Sequence, residues 1–277
     1  MNFRVLFNQA FLAEASYADF WDEELGQVIT DSEKVESALT TDSSKLSLSQ
    51  AKEFTKHWQV VSHQPDLNSG FSATLFKNRH SDEYVFANKG TAGGVDIIFA
   101  DIWGIILQGR AAHQLIDMYR YFRKLETDEG LAVNYSESEK SVLKEFATFT
   151  SVGWVTLRNI LASDTGLGVI NSDTSVTVTG HSLGGHLSTW FPHFFGTRAD
   201  HVYTYNGAGV GGILLQIKDL LTQFITGGEM SSIQGHPITN IYAEQGLEVT
   251  SGVGDYVGNL TPTFIEDQGA ISGNLLF

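Results

Sequence analysis

The chain has 277 residues, 42% of them hydrophobic and 18% charged, and this composition predicts a single large globular domain rather than a disordered chain. The net charge of −15 favours solubility and argues against nucleic acid and anionic membranes as partners, because both would repel the chain. The absence of cysteine excludes disulfides and thiolate chemistry. No apolar run reaches the roughly 18 residues that predict a membrane span.

The first part of the chain is predicted to contain a helix and a β-hairpin. Residues 1–21 are predicted to form an amphipathic helix rather than a signal peptide, because Glu14 and Asp19 interrupt the apolar run and no small-residue cleavage site follows. The polar segments 31–50 and 126–141 are predicted to be surface loops with short helices. Strands are predicted over 58–64, 71–78 and 83–90, and the polar turn RHSD joins the last two as in a hairpin.

The second part of the chain alternates helices and strands. A helix is predicted over 109–124 and another over 136–162, where Ser136 and Glu139 have the spacing of a capping box. The helix predicted over 186–195 is expected to bend or end near Pro192. A further helix is predicted over 213–225, and strands over 175–180, 201–207 and 238–243. This alternation predicts a mostly parallel sheet with helices on both faces and an antiparallel start at the hairpin.

The stretch VTVTGHSLGGHLSTWFPHFF, residues 176–195, carries the strongest functional signal. It places the pattern G-x-S-x-G, centred on Ser182, between a predicted strand and a predicted helix. A nucleophile elbow needs this context, because a sharp turn with small neighbours lifts the serine hydroxyl above the sheet. Gly180 and Gly184 stand where a side chain would collide, and the turn would point the Leu183 backbone N–H into an oxyanion hole. The pattern therefore predicts that Ser182 is a catalytic nucleophile.

The same stretch resembles the serine motif of the class 3, fungal-type lipases, which have the α/β-hydrolase fold. Four other segments resemble parts of that family, with closer likeness to its secreted bacterial lipases and phospholipases: YVFANKGT, DIIFAD, LQGRAAHQ and HVYTYNGAGVGG. The resemblance implies one α/β-hydrolase domain over residues 1–277 and a secreted serine esterase that cleaves carboxylic esters of lipids. It also implies that YVFANKGT, residues 84–91, is the oxyanion strand and that Thr91 at its end completes the oxyanion hole beside Leu183.

A catalytic acid is expected after one of the later strands. In this fold the triad runs serine, acid, histidine along the chain. Glu244 directly follows the strand predicted over 238–243 and is the first choice, although the family more often has an aspartate there. The alternatives are Glu248, Asp255, Glu266 and Asp267.

The catalytic histidine is harder to assign. None of the nine histidines follows Glu244. The last of them, His236, precedes a parallel strand, whereas ligands gather at the carboxyl ends of such strands. Its pairing with Asp219 would satisfy the triad order, but Asp219 lies within a predicted apolar helix. His236 is therefore only a weak candidate for the base.

The histidines nearer to Ser182 are also weak candidates. His181 and His186 flank the elbow, which does not by itself place their rings against the serine hydroxyl. His113 lies in LQGRAAHQ, a segment that resembles the family, and is not predicted to act as the base. We therefore expect the base beyond Phe277, on a strand, loop and helix that completes the domain or on a separate C-terminal fragment. A degenerate homologue and an unusual base are the alternatives.

Two other classes of function compete with the hydrolase. The pattern G-x-G-x-x-G at Gly207, Gly209 and Gly212 follows a strand, as in a nucleotide-binding oxidoreductase, but Glu229 precedes the next strand instead of ending it. A catalytically incomplete module that binds lipid or protein is the other alternative.

No cofactor and no metal are predicted, because His181 and His186 are five residues apart and no cysteine is present. The preferred prediction is a serine hydrolase whose partner is a lipid or small ester, with transient contact with a lipid surface and no nucleic acid.

Overall fold

The computed structural model describes residues 2–41, 43–90, 110–148, 150–207, 237–243 and 258–263. The helices in these ranges are α1 Phe3–Ala15, α2 Ser32–Leu39, α3 Leu48–His57, α4 Arg110–Glu126, α5 Glu137–Thr148, α6 Gly153–Ser163 and α7 Leu183–Phe195, followed by a 3₁₀ turn at Gly196–Arg198. The strands are β1 Trp21–Asp22, β2 Gln27–Val28, β3 Trp58–Gln64, β4 Ala73–Asn78, β5 Tyr84–Asn88, β6 Val176–His181, β7 Ala199–Tyr205, β8 Ile238–Ala243 and β9 Asn259–Thr263.

Seven strands form one sheet in the order β3-β4-β5-β6-β7-β8-β9. The first three strands pair antiparallel, and every later neighbour pairs parallel. The register sets Asn88 opposite Gly180, His181 opposite Tyr205, and Tyr205 opposite Ile241. The carboxyl ends of β5, β6, β7 and β8 therefore meet at one edge of the sheet, where ligands of open α/β sheets bind.

Helices cover both faces of this sheet. In β5, Val85 and Ala87 belong to the hydrophobic cluster that includes residues of α1 and α3. Phe86, which points the other way, belongs to the larger cluster with residues of α4, α5 and α7. Because strands buried on both faces lose the alternation of polar and apolar residues, they read as continuous apolar runs. A mostly parallel sheet covered on both faces and opened by antiparallel strands is the α/β-hydrolase fold, as the sequence predicts.

The predicted strands are confirmed, and the long helix predicted over 136–162 is wrong. Its capping box exists, since the Ser136 N–H donates to Glu139 Oε2 at 2.6 Å and the Glu139 N–H donates to Ser136 Oγ at 3.2 Å. The segment nevertheless forms two helices, α5 and α6. The Thr150 hydroxyl donates to the Ala147 carbonyl, and Gly153 has a φ of 69°. A continuous right-handed helix cannot hold that left-handed conformation.

Other differences concern short elements and one proline. The helix predicted to bend or end near Pro192 runs on to Phe195 and begins at Leu183, three residues before the predicted start. The small β1–β2 hairpin and strand β9 have no counterpart among the predicted elements, because two-residue strands and the polar sequence NLTPT lack a clear period-2 pattern. The helix predicted over 213–225 lies outside the described residues.

Candidate active site

Ser182 occupies a strained turn between a strand and a helix. His181 is the last residue of β6 and Leu183 is the first residue of α7. Ser182 has φ 55° and ψ −121°, a conformation that non-glycine residues rarely adopt and that costs on the order of 1–3 kcal/mol. Surrounding structure must hold such a residue in place. The strand–turn–helix context predicted for G-x-S-x-G is therefore present.

Glycines make the close packing around this turn possible. A Cβ on Gly180 would overlap the Gly184 carbonyl oxygen, and a Cβ on Gly184 would overlap the Asn88 carbonyl oxygen. A Cβ on Gly185 would stand 2.8 Å from the Gly207 Cα. Each obstacle is backbone, so it cannot swing aside as a flexible side chain would. The turn, the end of β5 and the loop after β7 consequently interlock only when these positions are glycine.

The Ser182 side chain is buried, and its backbone N–H and carbonyl both make hydrogen bonds. Its exposed fraction is 3%, and its Oγ has no hydrogen-bond partner among the described residues. The backbone N–H donates to the Tyr205 carbonyl at 2.9 Å, and the carbonyl accepts from the His186 N–H at 3.2 Å. Buried hydroxyls in protein interiors are normally satisfied, because an unpaired one costs about 1–3 kcal/mol. The orientation of Ser182 is thus not explained by a side-chain hydrogen bond to any described residue.

The N-terminus of α7 faces the same turn. The first helical hydrogen bond runs from His186, so the N–H groups of Leu183, Gly184 and Gly185 have no acceptor within the helix. These N–H groups carry the positive end of the helix dipole, which stabilises negative charge nearby. Leu183 is the predicted oxyanion donor, and its side chain is buried in the core. An oxyanion that developed beside Ser182 Oγ would need backbone donors of this kind.

The predicted second oxyanion residue, Thr91, lies outside the described residues. The residue before it, Gly90, is described and packs tightly against the elbow. A Cβ on Gly90 would overlap the Tyr17 hydroxyl and would stand 2.5 Å from the His181 carbonyl oxygen. The chain therefore reaches the elbow at Gly90, and the oxyanion role of Thr91 stays a prediction.

The two histidines beside Ser182 have partners other than its hydroxyl. His181 Nδ1 lies 3.0 Å from the Tyr17 hydroxyl oxygen, and burial lowers the pKa of His181 to about 4. His186 is buried in α7 with its ring centroid 6.3 Å from that of Trp190. Because Ser182 Oγ has no partner in the described ranges, none of the histidines there hydrogen-bonds to it. The remaining described histidines are His57, His63, His80, His113, His193 and His201.

The predicted acids and the last histidine fall on undescribed parts of the chain. Glu244 follows Ala243, the last residue of β8, at the edge that holds Ser182. Its role as the acid stays a prediction. The other residues named for the triad also lie outside the described ranges: Glu248, Asp255, Glu266, Asp267, His236 and Asp219.

The glycine-rich loop after β7 contacts the elbow at its first glycine. Gly207 packs against Gly185, and the Asn206 N–H donates to the Ile241 carbonyl at 2.8 Å. Close backbone packing therefore explains Gly207 without a nucleotide. Gly209, Gly212 and Glu229, which the oxidoreductase alternative also needs, lie outside the described residues.

Two residues contact the elbow region although no local sequence pattern predicts these contacts. Tyr17, just after α1, is buried with its hydroxyl against His181, 164 residues further along the chain. Asn88, at the end of β5, is fully buried, and its Nδ2 donates to Ser188 Oγ at 3.0 Å. No local pattern indicates either contact, because each depends on how distant segments meet in the fold.

Glu14, one turn before Tyr17, carries an unusual carboxyl. Burial raises its pKa to about 7, and the positive charge of Lys45 opposes the shift. An acid whose pKa is higher in the folded than in the unfolded state lowers the free energy of unfolding once the unfolded chain ionises. For Glu14 this loss of stability is absent below about pH 4.5 and complete above about pH 7.

Glu14→Gln is therefore expected to stabilise the protein only at higher pH. Discounted for its partial exposure, the gain in the free energy of unfolding is about 1–2 kcal/mol at pH 8 and close to zero at pH 4. Urea unfolding at both pH values measures it, with the exposed Glu24→Gln as the control. An equal effect of Glu14→Gln at both pH values would contradict the assignment.

The described ranges hold neither a metal centre nor a membrane-spanning helix. No group of three or more histidine, cysteine, aspartate or glutamate side chains there is arranged to hold a metal ion. None of the helices within those ranges is long and apolar enough to cross a membrane.

Comparison with known proteins finds likeness only among solved structures. No protein-family model matches the chain, and no curated protein does. A triacylglycerol lipase whose catalytic centre is a serine protease triad has a TM-score of 0.43 at 12% identity, over 90% of this chain and 73% of that chain. The Lip2 lipase from Yarrowia lipolytica has a TM-score of 0.41 at 14% identity, over 94% of this chain and 78% of that chain. A triacylglycerol lipase from Penicillium expansum has a TM-score of 0.39 at 14% identity, over 95% of this chain and 79% of that chain. The predicted closeness to secreted bacterial lipases stays a prediction.

Proposed function

We propose that this protein is a serine hydrolase that cleaves carboxylic esters of lipids through an acyl-enzyme on Ser182. The observation that carries the proposal is the conformation of Ser182, held at φ 55° between β6 and α7 with a buried hydroxyl that no described residue binds. Strain of this kind persists where it serves a function, and a nucleophile at the top of a strand is the function that fits a strand–turn–helix.

The first half of the reaction forms the acyl-enzyme. Ser182 Oγ attacks the acyl carbonyl while a base takes its proton, and the carbonyl oxygen becomes negatively charged. The backbone N–H of Leu183, at the positive end of α7, and that of Thr91 donate to this oxyanion. The tetrahedral intermediate then collapses, the bond to the alcohol oxygen breaks, and the base returns the proton to the leaving alcohol. Removal of one such oxyanion donor costs roughly 10²–10³ in kcat in serine hydrolases.

The second half regenerates the serine. Water gives a proton to the base and attacks the acyl carbonyl, and the same N–H groups stabilise the second oxyanion. The bond between the acyl carbon and Ser182 Oγ then breaks, the base returns the proton to Oγ, and the carboxylic acid leaves. An acid orients the base, and Glu244 is proposed for this role because it follows β8 at the shared edge of the sheet. The base stays unassigned, and the weak candidate His236 lies outside the described residues.

The lipid character of the substrate depends on the family resemblance, since the aromatic residues after the elbow pack in the hydrophobic core. Phe191 and Phe195 of α7 pack against Phe122 of α4, with ring centroids 4.7 and 4.5 Å away. Trp190 is fully buried beside His193. These rings belong to the core, so chain-length preference must be measured rather than inferred from them.

A labelling experiment tests the proposal and separates it from its rivals. The full-length protein is treated with a fluorophosphonate and assayed on p-nitrophenyl esters of increasing acyl length. We expect one phosphonylated residue, Ser182, together with loss of ester hydrolysis in the labelled protein. Ester hydrolysis with no label on Ser182 would contradict the nucleophile. No hydrolysis and no label would favour the lipid- or protein-binding module, and quenching of NADH fluorescence would favour the oxidoreductase.

A further inference from the structure

We infer that Tyr17 is a positioning residue that fixes the oxyanion strand against the nucleophile elbow. This inference rests on the proposed hydrolase function. Tyr17 comes from the segment after α1, yet its hydroxyl reaches the end of β6 and the end of β5 at once. It thereby joins the two chain segments that lead directly into Ser182 and Thr91.

The contact with the elbow is a hydrogen bond to the residue before the nucleophile. The Tyr17 hydroxyl oxygen lies 3.0 Å from His181 Nδ1, and the Tyr17 side chain is 7% exposed. The two rings meet at an interplanar angle of 55° with centroids 6.2 Å apart. The ring of His181 is thus held in one orientation, and Ser182 follows it without an intervening residue.

The contact with the oxyanion strand is made through Gly90. A Cβ on Gly90 would overlap the Tyr17 hydroxyl oxygen, so this position accepts only glycine while Tyr17 is in place. The Gly90 backbone lies close to the same oxygen, and its N–H opposes the rise in the pKa of Tyr17. Because successive Cα atoms are about 3.8 Å apart, a shift of Gly90 is passed directly to the N–H of Thr91.

The direction of this hydrogen bond follows from the protonation states. Burial lowers the pKa of His181 to about 4, so the ring is neutral at physiological pH. Burial first, and the Glu14 carboxyl second, raise the pKa of Tyr17, so its hydroxyl keeps its proton. Since His181 Nδ1 is the one hydrogen-bond partner of this hydroxyl among the described residues, the hydroxyl donates to Nδ1 and the imidazole proton resides on Nε2. One hydroxyl therefore packs on Gly90 and donates to the elbow.

This arrangement matters because an oxyanion hole requires its two donors at a fixed separation. The Leu183 N–H belongs to the elbow, and Thr91 follows Gly90 in the chain. Van der Waals packing of glycines brings the elbow and the segment after β5 together, and Tyr17 adds a directional bond to the elbow and a close contact with Gly90. A misplacement of about 1 Å in an active site can cost about 10²-fold in rate. Loss of the hydroxyl should consequently weaken binding of the transition state more than binding of the ester.

Tyr17→Phe in the full-length protein tests the inference, with Tyr121→Phe as the matched control. Tyr121 is also buried, and its hydroxyl donates to Ser62 Oγ at 2.8 Å, away from the elbow. We expect Tyr17→Phe to lower kcat on p-nitrophenyl esters by about 10- to 100-fold with KM within about twofold. The Ki of a trifluoromethyl ketone, which forms the oxyanion adduct, should rise by the same factor. Tyr121→Phe should lower Tm comparably and leave kcat unchanged.

A second pair of variants tests whether Tyr17→Phe lowers kcat only by disturbing the fold. His181→Leu removes the acceptor of the Tyr17 hydroxyl, whereas His181→Asn keeps an acceptor near the position of Nδ1. We expect the asparagine variant to recover more kcat than the leucine variant at similar Tm. Equal kcat in these two variants would count against the inference. If the wild type hydrolyses esters and is labelled at Ser182 but Tyr17→Phe retains kcat, only the role of Tyr17 is overturned. A wild type that does neither overturns the proposed function, and the role of Tyr17 with it.

Discussion

Ser182→Ala is expected to lower kcat for ester hydrolysis by about 10³- to 10⁶-fold, which is typical when an enzyme loses its serine nucleophile. The reason is that alanine removes the atom that forms the acyl bond, while the turn and the α7 N-terminus remain. KM and Tm should change little, because Ser182 Oγ makes no hydrogen bond among the described residues. Initial rates on a p-nitrophenyl ester and a thermal melt measure both effects.

Ser44→Ala is the control for this prediction. Ser44 is fully buried, and its hydroxyl donates to the Leu39 carbonyl in the segment between α2 and α3. Its replacement should cost stability and leave kcat unchanged. A Ser182→Ala variant that keeps a tenth or more of the wild-type kcat would show that another group forms the acyl-enzyme.

Gly184→Ala is expected to destabilise the protein by about 3 kcal/mol or more and to abolish labelling of Ser182. Helix propensity alone predicts the opposite, a gain of roughly 1 kcal/mol, because Gly184 lies in α7. The new Cβ would overlap the Asn88 carbonyl oxygen and would stand 2.9 Å from its carbon. Relief requires the end of β5 to move away from the elbow, which separates the two sides of the proposed oxyanion hole.

Gly26→Ala provides the comparison for Gly184→Ala. Gly26 has a φ of 61°, and no atom lies within 4 Å of the position that a Cβ would take, so alanine there meets only backbone strain. That strain costs about 1 kcal/mol. Urea unfolding of both variants separates strain from steric overlap. Equal destabilisation by the two substitutions would show that the contact between Gly184 and Asn88 is not tight.

The sequence predicts those parts of the fold that local patterns encode. Strand β3 has the bounds that the sequence predicts, because WQVVSHQ combines β-branched residues with polar neighbours on both sides. The elbow is predictable because strand, glycines, serine and helix are contiguous. The helix predicted over 136–162 fails at Gly153, whose positive φ is not encoded by the spacing of apolar residues.

The parts of the site that depend on distant contacts could not be predicted. Tyr17 and His181 are 164 residues apart, and Asn88 and Ser188 are 100 residues apart. Nothing in the spacing of these residues relates one to the other, since the pairs form only when α1 and β5 pack beside β6 and α7. The order serine, acid, histidine along the chain favours Glu244 as the acid, and this role stays a prediction.

Trapping the acyl-enzyme tests the central claim most directly. The full-length protein is mixed with p-nitrophenyl octanoate, quenched in acid before turnover is complete, digested and analysed by mass spectrometry. We predict one octanoyl group, located on Ser182 in the peptide that contains GHSLGG, and its absence from Ser182→Ala. Octanoyl on a different residue, or ester hydrolysis at the wild-type rate by Ser182→Ala, would contradict this claim.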